Sequence, residues 1–200
     1  MNKKIILAST SPRRKQLMTL LSIPFEAVAS EYEEDMTLDL PPRELVQHLA
    51  FGKAQAVAEK YKNAIVIGGD SIIVFGNHRL GKPKTPENAR EMLELLRGTT
   101  HQQMTGLAII DTETGIVKTD VSVSYVTFRS YSDQEIENYI NTNEPFGHAG
   151  AYAIQGYASL FADKIQGDYF GILGLSVTTL ARLLNEFGID VWDFISENSR

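Results

Sequence analysis

The sequence predicts an α/β fold: a mixed, twisted sheet with flanking helices. Three observations carry that expectation. Short β-rich runs alternate with helical repeats in the first half of the chain, and hairpin-joined strands intervene in the second. In addition, 43% of the 200 residues are hydrophobic, enough to bury a substantial core. No internal repeat or Pro/Ser-rich linker breaks the pattern, so one domain over residues 1–190 and a tail over residues 191–200 are expected.

The run Ile5-Ile6-Leu7-Ala8 reads as a first strand. Ser9-Thr10-Ser11-Pro12 then starts a helix, with Ser11 as N-cap and Pro12 in its first position. Leu17, Leu20 and Leu21 form the expected apolar face of that helix. Residues 24–28 suggest a second strand leading into the acidic segment 31–35, which should be exposed or at a site. Between residues 42 and 61, Leu45, Leu49, Ala50, Ala54 and Val57 recur at helical spacing. Residues 64–67 and 72–75 flank Gly68-Gly69-Asp70-Ser71, so a buried strand carries an aspartate near its middle. Residues 76–79 read as a hairpin turn, with Lys82 projecting from the strand that follows. Ala89, Met92, Leu93 and Leu96 mark an amphipathic helix ended by Gly98. Residues 104–111 and 117–128 form a hairpin around Glu113-Thr114-Gly115. A Ser132-x-x-Glu135 capping box opens a short helix to residue 140, and Leu180, Leu183, Leu184 and Phe187 mark a last long helix after the Gly-rich stretch 147–174.

Composition excludes several function classes. With 25 acidic against 19 basic residues the formal charge is −6, which argues against broad binding to nucleic acid or anionic membrane; a phosphate site must be a local basic cluster. Cysteine is absent, which removes disulfides, thiolate ligands and a cysteine nucleophile and fits a cytoplasmic setting. The opening apolar run is too short for a signal segment, and no stretch approaches the ~18 residues of a membrane span. The four histidines are scattered without zinc-site spacing, and no Gly-x-Ser-x-Gly elbow occurs. Gly76 to Lys82 imitates the opening of a P-loop but ends in Pro83 where a hydroxyl is required. Trp192 is expected to be a packing anchor or a dimer contact.

Two segments point to phosphate chemistry. Ser9-Thr-Ser-Pro-Arg13-Arg14 puts hydroxyls, first-turn amides and two guanidinium groups at one helix N-terminus, where arginines oppose the helix dipole unless an anion joins them. A basic surface turn is the plainer alternative. Asp70 lies between two apolar runs, where an ionised carboxylate is expensive unless paired or metal-bound. Lys53 and Lys82 are candidate cations for it, and Glu34 is a candidate second carboxylate that could help hold a divalent ion against a polyphosphate. A strand-end aspartate capping a turn is the alternative there. In residues 149–156, small residues surround Tyr152 and Gln155, a composition that lets a flat base approach.

Taken together, Ser9-x-Ser11-Pro12-Arg13-Arg14, Glu33-Glu34, Leu49-Ala50-x-x-Lys53-Ala54, Gly68-x-Asp70-Ser71, Gly81-Lys82-Pro83, His101-x-x-x-Thr105-Gly106 and Gly150-Ala151-Tyr152-x-Ile154-Gln155-Gly156 resemble the Maf family in order and spacing, from about residue 4 to about 188. The resemblance implies a fold similar to inosine triphosphate pyrophosphatases, with two lobes around a cleft, and a homodimer. It also implies hydrolysis of a nucleoside triphosphate to the monophosphate and pyrophosphate with Mg²⁺ or Mn²⁺. On that likeness Asp70 would be the catalytic base or a metal ligand, Glu34 would assist the metal, and Arg14, Lys53 and Lys82 would stabilise the phosphates. Ser9, Ser11, Arg13, Ser71 and Gln155 would complete the substrate site. Arg13 and Gln155 are similar to the branch acting on dTTP and UTP; a glutamine amide offers the donor and the acceptor that a uracil or thymine edge demands. Ser71, Gly69, Ala153 and Tyr157 depart from that branch. The rival expectations are a pyrophosphatase for modified or purine nucleotides such as 7-methyl-GTP, and a regulatory protein of septum formation.

Overall fold

The computed structural model describes residues 3–198 and contains a mixed seven-stranded sheet among them, in the order β2-β1-β3-β5-β6-β7 with β4 beside β3. The chain forms two compact units. The first comprises residues 1–70, 105–122 and 174–200, and the second residues 71–104 and 123–173. Strands β3 (Ala64–Phe75), β5 (Thr100–Asp111) and β6 (Val117–Phe128) each contribute residues to both.

In the first unit β1 (Lys4–Leu7) pairs in parallel with β2 (Glu26–Ala27) and with β3, Leu7 standing opposite Ile67. Alternation along these strands divides the apolar residues between two faces. Ile6, Ala8, Ala64, Val66, Ala108 and Ile110 pack against Ala50, Ala54 and Val57 of helix α2 (Pro42–Ala58). Glycines replace side chains where the backbones touch: a methyl at Gly68 would lie 2.7 Å from the Ala54 amide, and one at Gly106 2.8 Å from the Val46 carbonyl carbon. Helix α1 (Pro12–Leu20) starts as its sequence requires, but its buried face is Leu17 and Met18. Leu20, expected on that face, is 59% exposed. The final apolar run divides at Gly188 into α6 (Val177–Asn185) and α7 (Val191–Asn198). The segment 191–200 thus contains a helix within its described part, and residues 199–200 lie outside the described residues. Trp192 is 72% exposed, so it is not a packing anchor within this chain.

The second unit contains β4 (His78–Leu80), α3 (Pro86–Leu96), α4 (Asp133–Ile140), β7 (Ala162–Gln166) and the short α5 (Tyr169–Ile172). Thr85 and Ser132 cap α3 and α4 through their hydroxyls, and the Ser132/Glu135 box is complete. The turn before β4 narrows to two residues, with Gly76 at positive φ, and Lys82 lies just past the end of β4 rather than on it. The Gly-rich stretch hides β7, antiparallel to β6, and two 3-10 turns at Ala149–Ala151 and Tyr157–Leu160. Its core is aromatic. Phe128 meets His101 and Tyr152 edge-on at 4.9 and 4.8 Å, and Phe161 stacks on Tyr131 at 4.3 Å. Because His101 and Gln103 are buried, β5 begins four residues earlier than the apolar pattern suggests.

Candidate active site

Strand alternation positions Asp70. Gly68 faces α2 and lets β3 approach the helix backbone, and the residue two further on faces the same way. Lys53, beside Ala54 on that helix, therefore reaches the Asp70 carboxylate and donates a short hydrogen bond to it. The same ammonium lies 2.7 Å from Glu34 Oε1, so one cation joins two carboxylates that are 36 residues apart in sequence. Asp70 is 6% exposed, whereas the Glu34 side chain is 41% exposed.

The adjacent position of β3, Gly69, serves α1. A methyl there would stand 3.3 Å from Arg14 Nε, which donates to the Gly174 carbonyl at 2.8 Å, while Arg14 Nη1 donates to Ser9 Oγ at 3.3 Å. Ser9 Oγ also accepts from the Ser11 amide at 3.2 Å. Ser11 is the N-cap by position, yet its hydroxyl makes no capping bond, and no acidic side chain lies in the first turn of α1. Burial pushes the Asp70 carboxyl above its ordinary value, and Lys53 and Arg14 pull against that rise. Burial likewise lowers the affinity of Arg14 for its proton, opposed by the charges of Asp70 and Glu34. The cluster therefore holds two cations, Lys53 and Arg14, and two carboxylates, Glu34 and the buried Asp70, beside a helix N-terminus that the Ser11 hydroxyl does not cap.

Of the sequence-selected residues, Ser9, Ser11, Arg13, Arg14, Glu34, Lys53 and Asp70 belong to the first unit, where the contacts above join Ser9 to Ser11 and Arg14, and Lys53 to Glu34 and Asp70, with Asp70 acting on Arg14 through its charge. Arg13 is partly buried in the first turn of α1. Ser71, Lys82 and Gln155 belong to the second unit. There the Gly81 carbonyl, next to Lys82, accepts the Gly150 amide at 3.0 Å, so the Lys82 segment adjoins the loop that leads to Gln155. Gly150 has φ +68 and faces Ile73 so closely that a methyl would come within 2.7 Å of Cγ1, which demands glycine.

The family described as Maf-like protein matches residues 4–187. The chain belongs to the Maf family. Proteins named dTTP/UTP pyrophosphatase from Bacillus cereus (strain G9842) and Bacillus mycoides (strain KBAB4) are 47% and 45% identical to this Maf chain over 189 residues, 94% of its length and 98% of theirs. The solved structure of the Staphylococcus aureus Ham1 protein aligns with 63% of this chain and 72% of its own at 16% identity and a TM-score of 0.46.

Several side chains that order the Gln155 loop of this Maf chain carry no local signal in the sequence. The Tyr139 hydroxyl accepts the Ala153 amide at 3.1 Å, and Glu144 accepts the amides of Tyr157 and Ala158 at 3.0 and 3.2 Å, so the exposed Gln155 stands between two anchored stretches. Tyr152 OH pairs with His101 Nε2 at 2.9 Å beneath that loop. Each partner is more than ten residues away in sequence, which places it beyond the reach of periodicity and spacing.

Proposed function

We propose that this chain is a pyrophosphatase that hydrolyses dTTP and UTP to the nucleoside monophosphate and pyrophosphate. The observation that carries the reading is the convergence of Asp70, Glu34, Lys53 and Arg14 beside the uncapped start of α1, in a chain so similar to proteins of that name. Water attacks the α-phosphorus, the bond from that phosphorus to the bridging oxygen breaks, and pyrophosphate leaves with the electron pair. Asp70 acts as the base that takes the water's proton or as a ligand of the metal, and a carboxyl raised by burial suits the first role better than an exposed one. Arg14, Lys53 and Lys82, with the first-turn amides of α1, neutralise the triphosphate; Ser9, Ser11, Arg13 and Ser71 complete its binding.

The residues fit a hard divalent ion. Two carboxylates already converge on one cation, and no group of three His, Asp or Glu side chains suited to a metal occurs among the described residues, so phosphate and water oxygens would complete the shell. Glu34 and Asp70 would hold Mg²⁺ or Mn²⁺, which when bound supplies Lewis-acid neutralisation of the phosphate charge. The same reading treats residues 1–190 as one Maf-like domain, homodimeric and cytoplasmic. Among the described residues no helix is long and apolar enough to cross a membrane.

Pyrophosphate release from a panel of nucleoside triphosphates tests the assignment. The expected result is turnover of dTTP and UTP above the purine nucleotides, dependent on Mg²⁺ or Mn²⁺ and abolished by chelator; release of inorganic phosphate instead would refute it. Gln155 offers the amide for the pyrimidine edge. Gln155→Glu leaves the O4 acceptor facing a carboxylate, and kcat/KM for dTTP should fall about 10- to 100-fold, the cost of an unsatisfied polar contact. An unchanged ratio of dTTP to GTP turnover in that variant would remove Gln155 from base recognition.

A further inference from the structure

Gly52 stands inside α2, where glycine is the least favourable residue short of proline. Its space is occupied. A methyl built there would come within 2.9 Å of Tyr32 Cδ2 and closer still to Cε2 and Cζ, so the Tyr32 ring lies directly on the helix backbone. One turn earlier on α2, His48 Nε2 meets the Tyr32 hydroxyl at 3.2 Å with the rings edge to face. Beyond the C-terminal end of the helix, Lys60 reaches Glu31 at 2.8 Å. Two residues past Tyr32, Glu34 meets Lys53, the neighbour of Gly52.

The irregular acidic segment thus meets α2 at Gly52, His48 and Lys53 and meets Lys60 just beyond it, and the seat of Tyr32 on Gly52 is one of close packing. The Glu31–Lys60 pair is solvent-exposed, and such pairs hold long side chains weakly. Lys53 is a point charge shared with Asp70, and a point charge does not by itself fix the orientation of an exposed glutamate. We propose that Gly52 is a positioning residue: its missing side chain is the seat on which Tyr32 docks, and that docking fixes the Glu34 carboxylate where it serves the metal and triphosphate. The inference rests on the pyrophosphatase reading above and adds a residue that touches neither substrate nor metal.

Alanine at Gly52 separates this role from a structural one, because it favours the helix while it expels the ring. The test measures Mn²⁺ affinity in the presence of α,β-imido-dUTP, with thermal melts alongside. Gly52→Ala should weaken Mn²⁺ binding about tenfold at an unchanged or higher Tm, and kcat at saturating Mn²⁺ should change less than twofold. Tyr32→Ala should weaken binding to the same degree, and the double variant should be no worse than either single one. Wild-type affinity in Gly52→Ala, or additive losses in the double variant, would overturn the proposal. If the wild-type protein binds neither Mn²⁺ nor the analogue, the pyrophosphatase reading falls and takes this inference with it.

Discussion

Asp70→Asn is expected to lower kcat for dTTP by about 10²–10⁴-fold while raising the melting temperature at pH 7. Both effects follow from one cause. The carboxyl is 6% exposed, and burial shifts its proton affinity upward despite Lys53 and Arg14. With a folded-state pKa above the unfolded value, the stability contributed by the protonated form is full below about 3.8 and is lost as pH rises through the folded pKa. Wherever Asp70 is ionised its buried charge opposes folding, and asparagine removes that charge at nearly constant shape. Lys53 keeps Glu34 as its partner in the variant. Turnover and thermal melts on one preparation check both signs. Undiminished activity would take Asp70 off the reaction path, and a fall in melting temperature would mean that its ion pairs outweigh its dehydration.

The second large effect is expected from His101, through stability. The ring is 1% exposed among Phe128 and Tyr152, its Nε2 pairs with the Tyr152 hydroxyl, and its Nδ1 has no hydrogen-bond partner among the described residues. Burial lowers its pKa from 6.5 to about 4. The folded state therefore holds a neutral imidazole, while the unfolded chain takes up a proton below 6.5. This contribution is intact above pH 6.5, erodes as pH falls, and is gone by about pH 4, a loss of about 3 kcal/mol at roughly 1.36 kcal/mol per pKa unit. Urea unfolding of the wild type and His101→Gln across that window should show the stability difference between them shifting by about that amount in favour of the variant at low pH. A constant difference would mean that the ring takes up its proton as readily in the folded protein as in the unfolded chain.

Much of the candidate site was legible because its parts are local. The Ser-x-Ser-Pro-Arg-Arg run, an aspartate inside an apolar strand and a lysine on an apolar helix each violate a local preference, and such violations mark sites. Strand and helix identities followed from period, with misses where burial overrode pattern. The polar start of β5 is buried, the apolar Leu20 is exposed, and β7 is largely exposed and hides among glycines.

From its sequence alone the chain determined the α/β class, the family, the charge signs at the site and the need of Asp70 for a partner, because these depend on residue type and short-range spacing. Only the tertiary structure decided that Lys53 serves both Asp70 and Glu34, that Arg14 is tied to the Gly174 carbonyl, and that Gly52 and Gly68 are gaps filled by other parts of the chain. The reason is physical. A glycine's absent side chain has meaning only beside the atoms that enter its space, and those atoms come from segments that no periodicity connects to it.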